Sequence, residues 1–185
     1  MKVEDVLSFW FADDPAVWRD DRWFEADPDF DREVCERFGL MLQAAVDGAL
    51  DAWSATAEGA LALVIVLDQF GRNIHRGTFL AFAGDAHARR IAEAVVARGD
   101  DLALTPVQRV FLYMPFLHSE GLRDQNTSLA LFRRLLSFPE VAEAVGYAAE
   151  RREIIRRFGR YPQRNAALGR DSTPEEVAFL AEQAE

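Results

Sequence analysis

Glu58-Gly59-Ala60-Leu61-Ala62-Leu63-Val64-Ile65-Val66-Leu67-Asp68-Gln69-Phe70 is the stretch on which the fold class turns. Its middle is apolar on every side, so periodicity alone fits a buried strand or a buried helix equally well. The neighbouring sequence decides between them. Every flanking segment reads helical, and one isolated strand would have no sheet to join, which predicts a buried central helix. Gly71 follows directly and reads as its stop signal.

Upstream, residues 2–12 place Val3, Val6, Leu7, Trp10 and Phe11 on one helical face. An acidic, Trp-containing connection leads to Asp27-Pro28, a cap followed by a first-turn proline. Phe30, Val34, Phe38, Met41 and Ala45 then recur at helical spacing to about Gly48. Downstream, Asp85 to Arg98 reads as a helix ended by Gly99. Thr105-Pro106-Val107-Gln108 is a capping box that opens a helix to about His118, with a kink expected at Pro115. Residues 122–137 and 140–158 are two further amphipathic helices. A loop over 159–172 and a second capping box, Thr173-Pro174-Glu175-Glu176, introduce the last helix. The expectation is one all-α domain over 1–185, eight or nine helices joined as antiparallel hairpins into a bundle or short solenoid.

Composition narrows the function classes. The net charge is -10, which opposes general nucleic-acid binding, since that needs a basic footprint. No apolar run approaches bilayer length and no signal sequence opens the chain, so neither membrane spanning nor secretion is expected. Cys35 is alone, which suits a reducing, cytoplasmic setting. The charge is uneven. Residues 151–170 hold seven arginines against Glu153, while the first 60 residues are acidic. These two ends can pair within one chain or across a homodimer. Arginine identity carries little weight, because Lys2 is the sole lysine.

Phe70-Gly71-Arg72 with Arg76 echoes Phe158-Gly159-Arg160 with Arg164, and an Asn follows in each copy, at 73 and 165. The echo suggests two helix ends built on one plan. At these residues the sequence resembles a known family. Leu-Asp-Gln-Phe-Gly-Arg-Asn (67–73), Pro-Phe-Leu-His-Ser-Glu (115–120), Arg-Phe-Gly-Arg-Tyr-Pro-Gln-Arg-Asn (157–165) and Leu-Gly-Arg-Asp-Ser-Thr-Pro-Glu-Glu (168–176) are similar to the bacterial domain-of-unknown-function family 924. The resemblance implies an all-α, tetratricopeptide-like fold and no established activity.

Two constellations carry chemistry. Arg72, Asn73, Arg76, Arg160, Arg164 and Asn165, with Arg170 beside them, form an Arg/Asn set suited to a carboxylate or phosphate. The structural alternative is that they cap helix ends and pair with Asp68, Glu153 or the acidic segment. The first reading makes the chain a binding module for a small anion or an acidic peptide. The second constellation is His118 with Glu120 or Asp68, an acid–base pair for a hydrolase-type enzyme. His118 also shares a helical face with Val107, Phe111 and Met114, so a buried, satisfied imidazole competes with that role. His75, His87 and His118 are far apart and form no i, i+4 pair, so no metal is expected. No phosphate loop or dinucleotide fingerprint appears, so no cofactor is expected. The tryptophans 10, 18, 23 and 53 read as core, with an aromatic groove as the alternative.

Overall fold

The computed structural model describes residues 1–12, 14–19 and 23–183. Positions 13 and 20–22 of the acidic connection, and positions 184–185, lie outside the described residues. Among the described residues the chain is helical and contains no strand.

Helix α1 is Val3–Phe11 and α2 is Pro28–Val46. The Asp27 side chain caps α2 by accepting from the Asp29 and Phe30 amides. Helix α3 begins at Ala57, where Thr56 caps it, and runs as an α-helix to Val64. It continues through a π turn, Ile65–Phe70, into Gly71–Ile74. Helices α4 (Asp85–Arg98), α5 (Pro106–His118), α6 (Leu122–Arg133), α7 (Ala144–Phe158) and α8 (Pro174–Glu182) follow. Both expected capping boxes form, at Thr105 with Gln108 and at Thr173 with Glu176. Pro115 lies inside α5, as the sequence required.

The quoted stretch is the centre of the molecule. Every residue from Ala60 to Leu67 is sealed from solvent, and α3 packs against α1, α4 and α5, its π turn against α2. Trp10 and Phe111 meet edge to face beside it, 5.5 Å between centroids. Sequential helices are spatial neighbours from α3 through to α7. One continuous apolar cluster runs from Val6 to Ala148, and Trp10 and Trp23 belong to it.

Three expectations need correction. Gly71 does not stop the central helix. Its φ of -54° is right-handed helical, and the chain turns only after His75, near Gly77 with φ 78°. Gly159 does adopt the left-handed cap conformation, φ 70°. The Phe-Gly-Arg echo therefore names two different structures, one inside a helix and one at a helix end. Finally, the helix expected over 122–137 ends at Arg133, and the next starts at Ala144. Pro139 forces Phe138 extended, with φ -109° and ψ 103°, so neither helix can cross that point.

Candidate functional site

The π turn of α3 sets out the site. A π turn adds a residue to the helical repeat and shifts the side chains that follow it, which is one reason such turns gather at functional positions. Here the turn carries Asp68, whose side chain is fully buried, and Arg72 lies one turn beyond it. Arg72 Nη1 donates to the Asp68 carbonyl at 2.6 Å and lies 3.0 Å from its carboxylate. Arg72 also forks onto Asp85, the first residue of α4, at 2.9 and 3.0 Å.

The second partner of Asp68 comes from the last residue of α5. His118 Nδ1 is 2.8 and 2.9 Å from the two carboxylate oxygens. The Gln69 amide donates to the same carboxylate. Burial alone would raise the Asp68 carboxyl, but Arg72 and His118 overcome it and hold the group well below the usual carboxylate range. An ionised Asp68 can only accept, so Nδ1 carries the proton and donates to it. Nε2 of His118 has no hydrogen-bond partner among the described residues, and the side chain keeps 19% of its surface exposed. Burial and the Arg72 charge push the imidazole below its ordinary value, against the pull of Asp68. His118 is thus neutral at pH 7, oriented at one nitrogen and open at the other.

Arg164 completes the cluster from the loop after α7. Its guanidinium lies 4.8 Å from the Phe82 ring centroid and 4.6 Å from that of Tyr161. Among the described residues its one ion-pair contact is Asp85 Oδ2 at 3.7 Å, outside hydrogen-bond reach, although the side chain is only 12% exposed. Burial and the neighbouring Arg72 charge lower its proton affinity. Tyr161 is fixed by hydrogen bonds with Gln125 and the Leu117 carbonyl, and burial pushes its phenol up to about 12.

The remaining sequence-predicted residues are placed elsewhere. Asn73 and Arg76 both bind Asp31 of α2, at 2.7 Å and at 2.6 and 2.8 Å. Arg160 forks onto Glu176 of α8, at 2.6 and 2.8 Å, and Asn165 donates to Ser172 and to Glu176. Glu120 is held by the Tyr161 amide and by Arg170, so its carboxylate turns to the 159–172 loop and away from a pairing with His118. Of the two carboxylates considered for His118, Asp68 is the one in contact. The Arg/Asn set is dispersed over the internal carboxylates Asp31, Asp85, Glu120 and Glu176, and Arg72 and Arg164 alone from it meet at Asp85.

Sequence reasoning did not pick out Asp85, Phe82 or Tyr161 as site residues. Asp85 lies 13 positions from Arg72 across a turn, so no helical spacing points to it. The basic 151–170 stretch also finds partners other than the acidic first third: Glu153, Glu175, Glu176, Glu120 and Asp85. A cleft of about 230 Å³ between Trp18 and the segment from Pro139 to Tyr147 shares no residue with the Asp68–His118 cluster. Among the described residues no group of three His, Cys, Asp or Glu is arranged to hold a metal ion.

A family described as a bacterial protein of unknown function (DUF924) matches residues 6–184, and the chain belongs to it. The solved structure of a protein of unknown function from Agrobacterium tumefaciens is similar to this chain. It is 39% identical over 97% of both chains, with a TM-score of 0.87. No curated protein matches the sequence. No described helix is long and apolar enough to cross a membrane.

Proposed function

We propose that this chain is a hydrolase-type enzyme in which His118 is the acid–base group, Asp68 orients it and the arginines at Asp85 stabilise developing negative charge. One observation carries the reading: a fully buried carboxylate is pinned to Nδ1 of a partly exposed histidine whose Nε2 is left free. Nε2 then takes a proton from water, and the resulting hydroxide attacks an electrophilic carbonyl or phosphoryl centre. The imidazolium, facing Asp68, returns the proton to the leaving group. A buried carboxylate and Arg72 would be a costly arrangement for mere packing, since a charge out of water needs complete pairing.

The test uses p-nitrophenyl acetate and p-nitrophenyl phosphate as probes. His118→Asn is expected to lower turnover at least about a hundredfold, as loss of a general base does. Glu120→Gln, which loosens only the loop, should leave most of it. Equal activity in His118→Asn and the native chain, or no turnover of either probe, defeats the enzyme reading. A binding module for an anion is the second reading, favoured by the under-partnered Arg164. The core from Val6 to Ala148, with the following loop tied back to it through Tyr161, supports one domain over 1–185, built of hairpins in the tetratricopeptide manner. The lone Cys35, exposed on α2, supports a cytoplasmic setting.

A further inference from the structure

Arg164 presents an inconsistency that the enzyme reading leaves open. A guanidinium carries five N–H donors, and one withdrawn from water normally finds acceptors for them. Arg164 is withdrawn, with two aromatic rings at 4.6 and 4.8 Å, yet its carboxylate neighbour stands 3.7 Å away. Arg72, the next guanidinium, lies 5.7 Å from the same Phe82 ring and uses its fork on Asp85. Asp85 is thus shared unequally: two good hydrogen bonds to Arg72, one long contact to Arg164. With His118 neutral, Asp68 and Asp85 balance Arg72 and Arg164. Asp85 itself is partly exposed and lies at the first position of α4, next to the loop that carries Phe82.

We propose that the junction of Arg72, Asp85 and Arg164 is a receptor for a small carboxylate, and that Asp85 is its internal placeholder. An incoming carboxylate takes the free edge of Arg164, and Asp85 is the group it competes with. A planar carboxylate suits the site because Asp85 already shows the fork geometry on Arg72, with its second oxygen facing Arg164 at 3.7 Å. This deepens the proposed function by naming the substrate group, and it rests on the anion-stabilising role given there to the arginines.

The experiment is titration calorimetry of the full chain with succinate and, separately, with inorganic phosphate. Succinate is expected to bind, and Asp85→Asn should tighten it about tenfold or more, because a competing charge 3.7 Å from Arg164 and 2.9 Å from Arg72 is removed. Arg164→Lys should weaken it at least about fivefold, since an ammonium keeps the charge and loses the fork. A residue that only props the two rings would give no tightening on Asp85→Asn, and that result overturns the placeholder role. Phosphate binding with the same variant pattern, and succinate not, overturns the carboxylate assignment. No binding of either probe overturns the receptor. His118→Asn should leave succinate affinity within about twofold, as its imidazole is neutral. Loss of turnover with binding kept, or binding without any turnover, therefore separates this inference from the acid–base reading.

Discussion

At the scale of single residues, the site is a neutral histidine held against an ionised, buried aspartate. That arrangement has a sign that pH can read. The His118 imidazole is lowered in the folded chain by burial and Arg72, whereas in the unfolded chain it sits near 6.5. Between those two values the unfolded state binds the extra proton, so stability is fully present above about 6.5 and falls as pH drops through that window. Asp68 acts lower down: its stabilisation is present above the ordinary carboxylate range, about 3.9, and is lost as pH falls further. Urea midpoints between pH 7.5 and 5.5 should decline in the native chain and stay flatter in His118→Gln. Parallel slopes in the two proteins would mean that His118 is not depressed. Little of this was legible beforehand. Asp68 and His118 were both recognised as chemical residues, but a contact between positions 50 apart depends on how α3 and α5 cross, which no local spacing encodes.

At the scale of elements, the caps were legible and the π turn was not. Asp27, Thr105 and Thr173 act within three residues of themselves, so their signals survive in the sequence. Gly71 was misread because residue type does not reveal the sign of φ. Its helical conformation makes a simple prediction. A Cβ there would meet the Ala81 carbonyl at 3.5 Å and Leu42 at 4.0 Å, ordinary contacts, so Gly71→Ala should stabilise by about 0.5–1 kcal/mol. Gly84 is the opposite case. Its Cβ would lie 2.5 Å from the Leu67 carbonyl oxygen, part of the π turn, and Gly84→Ala should cost about 1–3 kcal/mol. Denaturant unfolding of the two variants checks both signs. A destabilised Gly71→Ala would restore the stop-signal interpretation.

At the scale of the whole molecule, two kinds of cohesion are segregated. The apolar cluster closes at Ala148, while the loop of residues 159–172 is tied by Glu120–Arg170, Arg160–Glu176 and the neighbouring Arg157–Glu175. The first kind is insensitive to screening, the exposed Arg157–Glu175 pair is open to it, and the partly buried pairs of Glu120 and Glu176 feel it less. Hydrogen exchange in about 1 M salt should therefore speed at amides of the 159–172 loop while α3 amides stay protected. Uniform acceleration would show that loop and core open together. The all-α class was legible because periodicity reports burial. The partners of the basic stretch were not, since formal charge says which residues seek a partner and not which one they reach.

The site draws on both regions, and this sets how freely each half can change. Asp68 and Arg72 stand on the central helix, where Asp68 is fully buried, so an exchange there disturbs packing as well as chemistry. Arg164 and Tyr161 stand on a loop that the apolar cluster does not include. A lineage carrying this fold would accordingly keep the buried half of the cluster nearly unaltered, while its loop half is left open to experiment.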